Sequence, residues 1–365
     1  MSIEQFSVRG RLADTGEGIT GDELQLAARN HGMPLEGLRY DVTPPGLHYV
    51  LVHYDIPATN AATWSLTIDG CVEQPLSFGL TELRAMGRRT VRVTLECAGN
   101  GRAALQPRPI SQPWLNEAVG TAEWTGVLLS DLLRAAGIRD DAVDVVFTGA
   151  DHGVERGVEQ DYQRGLSVTE AIDSGAIVAW EMNGQPLPPQ HGYPLRLVVP
   201  GWYGMASVKW LRSIELIDHE FDGYQNAVAY RIRKDANEPG EPVTRIQPRA
   251  LLIPPGFPDF MSRHRFVAAG TVTLQGRAWS GWAPVERVEI SVDAGVSWQP
   301  AKLDAAGNDE LAWRSFAYDW DATPGEHVIT VRAVDASGRE QPVEAEWNRG
   351  GFANNTAQRI TVLVT

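Results

Sequence analysis

The chain has 365 residues, of which 43% are hydrophobic and 21% are charged, and its formal net charge at pH 7 is −14. This is the composition of a globular protein and not of a disordered one, and the length exceeds that of one ordinary core, so we expect two domains. The negative charge argues against nucleic acid or an anionic membrane surface as the main partner. An anionic ligand would need a local cluster of arginine and lysine.

The sequence shows no apolar run long enough to cross a bilayer, so we expect no membrane insertion. The first ten residues, MSIEQFSVRG, have no apolar core and no twin-arginine pair, unlike an export signal. The sequence as given therefore predicts a cytoplasmic protein, or a periplasmic one if an export signal has been removed. Cys71 and Cys97 are too few for a disulfide scaffold, and each is by default a small buried side chain.

The first part of the chain mixes predicted strands and helices. The predicted strands are residues 64–70, 90–96, 143–147 and 195–200. Residues 148–153 have the composition of a loop, and residues 128–136 have helical spacing and stop at Gly137, a common helix end. We therefore expect a mixed α/β domain over residues 1–240.

Residues 238–260 are rich in proline, glycine and charge, which is typical of a connection between domains. Beyond them only strands are predicted, with turn signals such as residues 293–295 between them. These strands are residues 271–278, 287–292, 313–318, 327–334 and 359–364. Short strands at this spacing predict an immunoglobulin-like β-sandwich over residues 250–365, so the fold class of the whole chain is α+β.

The most informative segment is residues 94–102, TLECAGNGR, in which an alternating strand delivers Cys97 onto a short loop and Arg102 follows. Glycine lets a backbone approach a bulky ligand, and a nearby cation favours the thiolate, the metal-binding form of cysteine. A buried cysteine in a tight turn is nevertheless the simpler interpretation of these residues alone. No second cysteine or histidine stands at zinc-ligand spacing.

This segment resembles the molybdenum–cysteine motif of the sulfite oxidase family, and the resemblance continues in the family's order over nearly the whole chain. The other matching blocks are residues 113–114, 124–126, 132–137, 181–188, 191–196, 208–211, 278–281 and 293–298. The resemblance implies a molybdenum–molybdopterin cofactor with Cys97 as the thiolate ligand of the metal. Residues 278–298 resemble the family's dimerisation domain, which implies a homodimer formed largely through the β-domain.

The resemblance also implies roles for individual side chains. Arg102 matches an arginine that binds the substrate anion, and Tyr230 matches the active-site tyrosine. The positions that match residues holding the pterin and its phosphate are His53, Asp151, His191, Arg196, Ser207, Val208 and Lys209. Arginine and lysine suit a phosphate, histidine can donate hydrogen bonds, and a carboxylate can accept from a pterin amine. Each residue alone also has an ordinary structural interpretation, and only the joint match indicates a site.

Two departures from the family pattern concern the binding of the substrate anion. Sulfite oxidases carry an arginine two positions before the histidine that His53 matches, and this chain has Leu51 there. A further arginine is expected in a Trp-Asn-x-Arg-Gly context, and here Arg349 stands one place early in residues 347–350. We also expect no counterpart of the haem domain of the animal enzymes.

The reaction implied is oxygen-atom transfer, with sulfite oxidised to sulfate and electrons passed to an external acceptor such as a cytochrome or oxygen. Arg102 and Tyr230, together with Arg349, would hold the anion and stabilise developing charge. Two alternatives stay open. One is a reductase of nitrate or of a sulfoxide with the same cofactor, because Leu51 stands where sulfite oxidases have an arginine. The other is a non-catalytic interaction protein on this fold.

Overall fold

The computed structural model describes residues 2–3, 6–7, 10–305, 307 and 309–365 of the chain. The α-helices within those residues are α1 (Gly21–Arg29), α2 (Leu80–Met86), α3 (Leu129–Ala136) and α4 (Val168–Asp173). Shorter 3₁₀ turns are Leu35–Arg39, Arg102–Ala104, Pro189–His191 and Gly204–Ala206, and Gln225–Ala229 is a π-helical turn. No helix in the described part of the chain is long and apolar enough to span a membrane.

Two sheets, here called the N-terminal sheets, form the first part of the structure. Their strands are β1 (Ser65–Gly70), β2 (Leu76–Gly79), β3 (Arg89–Glu96), β4 (Val119–Leu128), β5 (Asp144–Glu155), β6 (Val158–Ser167), β7 (Ile177–Met182), β8 (Gln185–Pro186), β9 (Arg196–Val198) and β10 (Leu211–Ile217). One sheet has the order β2-β1-β10-β5-β6, and the other has the order β3-β4-β7-β8 with β9 paired to β7. A two-stranded ribbon follows, made of β11 (Arg231–Ile232) and β12 (Glu241–Pro242).

Two further sheets pack face to face and form what we call the C-terminal sandwich. Their strands are β13 (Arg249–Leu252), β14 (Phe257–Pro258), β15 (Arg265–Val267), β16 (Gly270–Trp279), β17 (Val285–Ser291), β18 (Gln299–Pro300), β19 (Lys302–Leu303), β20 (Arg314–Ala322), β21 (Gly325–Asp335) and β22 (Gln358–Val364). The orders are β13-β16-β20-β19 and β14-β15-β22-β21-β17-β18. Alternate residues of these strands, such as Ile290, Trp320 and Val331, fill the shared core, as expected of a sandwich.

Helix α3 shows how the spacing of apolar residues produces an element of this fold. Its buried residues Leu129, Leu132, Leu133 and Ala136 repeat at helical spacing and face the core between the N-terminal sheets. The helix ends at Gly137, whose φ of +72° is easily reached only by glycine. The predicted helix over residues 128–136 is therefore confirmed to within one residue.

Two predictions about local structure were wrong. Residues 148–153 are not a loop, because β5 continues through them to Glu155 with a bulge between Thr148 and His152. Their polar side chains resemble a loop in the sequence, but Thr148, His152 and Gly153 pair with β6 on either side of the bulge, and Gly149 within it pairs with Leu211 of β10. Such bulges are common beside functional sites. The proline-rich connection of residues 238–260 also contains β13, a buried strand that joins the sandwich at the edge of one sheet.

The Glu96 carboxylate joins the N-terminal sheets to the C-terminal sandwich. It accepts hydrogen bonds from Trp279 Nε1 at 2.8 Å and from Asn100 Nδ2 at 3.0 Å. It also lies 3.2 Å from Arg249 Nη1, in an ion pair whose two side chains are only 2% and 1% exposed. A buried ion pair is costly to break, because the remaining charge is left without compensation. Arg249 also donates to the carbonyl of Asn354, and the Asn354 side-chain amide Nδ2 donates to the carbonyl of Gly101 at 2.8 Å.

We therefore expect Arg249→Met to lower the free energy of unfolding by about 3–5 kcal/mol, because Glu96 would keep a buried charge without a cation. The matched control is Arg88→Met, which removes the exposed pair with Glu181 and should cost less than about 1 kcal/mol. Chemical denaturation of both variants measures the difference. Equal losses in the two would show that the Glu96–Arg249 pair does not hold the two parts together.

Candidate cofactor and substrate site

A single cavity among the N-terminal sheets brings most of the predicted site residues together. Its wall consists of His48, Tyr49, Val50, Leu51, His53, Leu95, Cys97, Ala98, Asp151, Tyr162, Gln190, His191, Arg196, Gly204, Met205, Ser207, Lys209 and Tyr230. Of the eleven residues proposed from the sequence, only Arg102, Val208 and Arg349 are not on this wall. These residues come from segments far apart in sequence, so the fold and not local sequence assembles the cavity.

Cys97 follows directly on strand β3 and is buried on the wall of the cavity. Its amide donates to the carbonyl of Ala118 at 2.9 Å, and its own carbonyl accepts from the amide of Asn100 at 3.0 Å. Burial raises the pKa of the Cys97 thiol, and the Arg102 guanidinium acts in the opposite direction. A metal ion that binds here would have to displace the thiol proton, and the nearby arginine favours that.

Two buried cations, Arg196 and Lys209, line the cavity. Arg196 donates to the carbonyls of His191 at 3.0 Å and Ser207 at 3.1 Å, and its guanidinium carbon lies 4.6 Å from the centre of the Trp124 ring. Lys209 Nζ donates to the carbonyl of Leu51 at 2.7 Å. Burial lowers the pKa of Arg196 to about 10 and that of Lys209 to about 7. Neither cation has a carboxylate in salt-bridge contact within the described ranges. Two buried cations without a counterion form a suitable binding site for a phosphate.

Three polar atoms on the cavity wall are buried without a hydrogen-bond partner. They are His48 Nε2, His191 Nε2 and Asp151 Oδ1. Burial lowers the pKa of His48 to about 4 and that of His191 to about 2, so both imidazoles are neutral at pH 7. Their rings meet edge to face, with centres 5.2 Å apart. Each unsatisfied buried atom costs roughly 1–3 kcal/mol, so a polar ring system with donors and acceptors fits this wall.

Gly149, which has no side chain, leaves space for the Asp151 carboxylate within the β5 bulge. A Cβ placed on Gly149 would lie 2.5 Å from Asp151 Oδ1 and 2.8 Å from the carbonyl oxygen of Lys209. Burial raises the pKa of Asp151 to about 6. The carboxylate therefore stands ready to accept a hydrogen bond, since it lacks a partner at one oxygen.

Tyr230 and His53, which also line the cavity, form a hydrogen-bonded pair. Tyr230 Oη lies 2.8 Å from His53 Nε2. Burial raises the pKa of Tyr230 and lowers that of His53, so both groups are neutral at pH 7. The π-helical turn Gln225–Ala229 ends directly before Tyr230, and such turns often occur at functional sites. This pair could bind an oxygen atom of a ligand and pass a proton along the hydrogen bond.

The three predicted residues that do not line the cavity occupy different places. Arg102 is buried beside Cys97, where its guanidinium donates to the carbonyls of Gly350 at 2.8 Å and Gln112 at 3.3 Å. Arg349 is partly buried, and its amide donates to the carbonyl of Arg233 at 2.8 Å. Val208, the chain neighbour of Ser207 and Lys209, is wholly buried in the core. Neither the Val208 nor the Arg102 side chain is part of the cavity wall, and the Arg102 charge acts to lower the pKa of the neighbouring Cys97 thiol.

Several wall residues were not predicted from the sequence. The clearest is His48, three positions before Leu51, whose Nδ1 lies 3.1 Å from the carbonyl oxygen of Tyr49. A histidine within the largely apolar stretch of residues 47–52 is a signal that could have been used. Tyr162 and Gln190 were missed because nothing in their local sequence distinguishes them from packing or surface residues.

Comparisons with known proteins agree with this architecture. Residues 53–225 match the family model of the oxidoreductase molybdopterin-binding domain, and residues 257–365 match that of the Mo-co oxidoreductase dimerisation domain. Nitrate reductase (NADH) 1 of Arabidopsis thaliana is 31% identical over 347 residues, which are 87% of this chain and 38% of that protein. Mitochondrial sulfite oxidase of Homo sapiens is 31% identical over 350 residues, which are 89% of this chain and 62% of that protein.

A solved structure extends the comparison to the whole fold. The crystal structure of the sulfane dehydrogenase SoxCD from Paracoccus pantotrophus matches with a TM-score of 0.80 and 25% sequence identity, over 98% of this chain and 90% of that one. Fold, cavity and matched domains thus define a molybdopterin-dependent oxidoreductase with a dimerisation domain. The chain belongs to the sulfite oxidase family of molybdenum–molybdopterin enzymes. The family, the fold class and the cofactor expected from the sequence are confirmed.

The pKa of Lys209 leads to a test of the phosphate site in cofactor-free protein. Sulfate should raise the melting temperature more at about pH 6 than at about pH 8.5, because Lys209 is charged below its pKa of about 7 and largely neutral above it. As the pH rises through 7, more free energy is needed to protonate Lys209 before sulfate can bind, so sulfate stabilises the protein less. Differential scanning fluorimetry measures the shift.

Lys209→Met should remove most of this pH dependence, whereas the exposed Lys302→Met should keep it. Asp151, with a pKa of about 6, acts in the same direction and accounts for the remainder. A pH dependence that survives unchanged in Lys209→Met would mean that Lys209 does not face the anion.

Proposed function

We propose that this molybdenum-dependent oxidoreductase oxidises sulfite to sulfate and passes the electrons to an external acceptor. The observation that carries the proposal is the joint position, on one cavity wall, of Cys97, the cations Arg196 and Lys209, and the pair His53–Tyr230. The names of two related proteins, sulfite oxidase and sulfane dehydrogenase, describe oxidation of sulfur compounds. Because the chain spans only 38% of the nitrate reductase and 62% of the sulfite oxidase, substrate and partners are part of the proposal.

The residues of the cavity would hold the cofactor along its length. Cys97 would ligate the molybdenum, and Arg196 and Lys209 would pair with the phosphate of the pterin. His48, His191 and Asp151, whose polar atoms lack partners, would hydrogen-bond the pterin ring system. When bound, the cofactor supplies the two-electron chemistry by which sulfite gains an oxygen atom.

Residues near Cys97 would handle the charge and the protons of the reaction. Oxidation of sulfite by water releases two protons and two electrons together with sulfate. His53 is neutral, because burial lowers its pKa, and can accept a proton through the 2.8 Å hydrogen bond with Tyr230. Tyr230 Oη can instead donate to an oxygen atom of the anion. Arg102, buried beside Cys97, supplies positive charge without contacting the cavity.

A reductase of nitrate is the second candidate. Leu51 lines the cavity at the position where the resemblance to sulfite oxidases leads us to expect an arginine. A site with one cation fewer suits a monoanion such as nitrate better than a dianion such as sulfite. The nitrate reductase of Arabidopsis thaliana is also as similar to this chain as the sulfite oxidase of Homo sapiens, at 31% identity each.

Metal analysis combined with two dye-linked assays tests the proposal. The purified protein should contain molybdenum and reduce a dye when sulfite is added. Nitrate-dependent oxidation of a reduced dye, without sulfite oxidation, would establish the second candidate. Absence of molybdenum from protein made in a molybdenum-replete host would favour a non-catalytic interaction protein.

We also propose a homodimer formed through residues 257–365, which match the dimerisation-domain model. Sedimentation at micromolar concentration should show about twice the chain mass of 40.0 kDa. A clean species at the mass of one chain would contradict this. The acceptor is proposed to be an external cytochrome or oxygen.

The role proposed for Cys97 predicts a difference between the two cysteines. Cys97→Ser should abolish turnover and remove the visible absorption of the thiolate–metal bond, because the thiolate ligand is lost. Cys71→Ser is the matched control, since Cys71 follows β1 away from the cavity and its amide donates to the carbonyl of Leu216 at 2.7 Å. Equal losses of activity and absorption in both variants would contradict the assignment.

The charge balance of the cavity predicts opposite effects for Arg102 and Leu51. Arg102→Gln should lower kcat/KM for sulfite by about ten- to a hundred-fold, as expected when a charged interaction is lost. Leu51→Arg should lower the KM for sulfite, because it adds a cation on the cavity wall. Steady-state kinetics at fixed ionic strength measure both. If Arg102→Gln is as efficient as the parent, either sulfite is not the substrate or Arg102 does not act on it.

A further inference from the structure

Arg164, on strand β6, is a buried cation to which the mechanism above gives no role. The residue is 3% exposed, and its Nη1 donates to the carbonyl of Gln225 at 2.5 Å. Its Nε is buried without a hydrogen-bond partner. In the part of the chain that the structure describes, no carboxylate forms a salt bridge with it. A buried charge without a counterion is costly, so a ligand anion is the natural compensation.

Arg164 belongs to a stack that ends at the cavity. Its guanidinium carbon lies 5.5 Å from the centre of the Tyr230 ring. The Tyr230 ring centre is 5.1 Å from that of Phe352, and Phe352 in turn lies 5.1 Å from the guanidinium carbon of Arg102. Two buried arginines therefore flank one aromatic pair, and the Tyr230 of that pair lines the cavity. Both positive charges act on the same part of the wall.

We propose that Arg164 is a positioning residue for the substrate anion, whose buried charge behind Tyr230 takes the place of the arginine that is absent at Leu51. The inference rests on the proposed function, in that it assumes an anionic substrate beside Tyr230. It extends that function by assigning the second cation of the anion site, which the resemblance left uncertain.

Geometry explains how a residue off the cavity wall can act on the anion. Buried charges are screened far less than exposed ones, so the field of Arg164 reaches past the Tyr230 ring. The hydrogen bond to Gln225 and the contact with Tyr230 hold the guanidinium in place, so no rearrangement is needed when the anion arrives. Arg196 and Lys209 are occupied by the phosphate of the cofactor in this scheme, which leaves Arg102 and Arg164 for the substrate.

Arg164 also braces the π-helical turn before Tyr230, so a purely structural role has to be separated from the role of its charge. Arg164→Gln keeps a donor for the Gln225 carbonyl and removes the charge, whereas Arg164→Lys keeps the charge. A role through charge predicts that lysine restores function better than glutamine. A brace without an electrostatic role predicts that the two variants behave alike and lose kcat at unchanged KM.

The experiment uses the molybdenum-loaded enzyme with matched metal content. Arg164→Gln should raise the KM for sulfite and the inhibition constant of sulfate by about ten-fold or more, and Arg164→Lys should recover most of both. Arg212→Gln, an exposed arginine paired with Asp161, is the control and should match the parent. The double variant Arg164→Gln/Leu51→Arg should regain anion affinity, because the cation returns on the cavity wall.

Calorimetric titration of sulfate into the same loaded proteins distinguishes failure of this inference from failure of the proposed function. If the parent does not oxidise sulfite but binds sulfate more tightly than Arg164→Gln, the anion site stands and the substrate assignment falls. Unchanged sulfate affinity and KM in Arg164→Gln, or equal losses in the lysine and glutamine variants, would overturn the role of Arg164. Should Arg164→Gln not load metal, loaded Arg164→Lys is compared with the parent instead. Sulfate affinity close to that of the parent supports the role of the charge, and loss of sulfate affinity in Arg164→Lys overturns it.

Discussion

The Glu96 carboxylate is held between the N-terminal sheets and the C-terminal sandwich, one residue before the cysteine proposed to bind the metal. Arg249 and Trp279 bind it from the sandwich side, and Asn100 binds it from the cysteine loop itself. A carboxylate taken out of water needs all of these partners, so the loop can form only when the two parts of the chain are docked. The position of Cys97 is therefore a property of the whole structure and not of its own turn.

The same logic of burial explains the positive charges around the cavity. The chain carries a net charge of −14, yet Arg102, Arg164 and Arg196 are buried without carboxylates in salt-bridge contact among the described residues. An overall negative field repels anions, and only cations fixed in a poorly screened interior can overcome it at short range. The stability given up to bury these charges is offset when phosphate and substrate anions bind, which couples ligand binding to stability.

Regular alternation and helical spacing made the major elements predictable, as in β16, β21, β22 and α3. The bulged part of β5 was not predictable, because residues 148–153 have the side chains of a turn. They are held in a strand by pairing with β6 on either side of the bulge and with β10 at Gly149. The residue types of the site were visible through the family resemblance. The burial of isolated polar side chains was not visible in the sequence, so His48 and Arg164 were missed. Binding of the anion by Arg102 stays a prediction; its Nε and Nη1 donate to the backbone carbonyls of Gly350 and Gln112.

The β21–β22 connection, residues 336–357, gives the sandwich a part in the candidate site. Phe352 packs on Tyr230, Gly350 fixes Arg102, and the amide of Ala353 donates to the carbonyl of Ala98 at 2.8 Å. This segment leaves little room for change, since a Cβ on Gly351 would lie 2.6 Å from Arg102 Cγ. A domain that supplied only a dimer contact would have no need of such contacts with the cysteine loop. Because the connection is anchored at both ends in the sandwich sheet, a displacement of that sheet would move Phe352 and Gly350 together. The contacts of Phe352 with Tyr230 and of Gly350 with Arg102 therefore tie the position of this connection to the position of two proposed site residues.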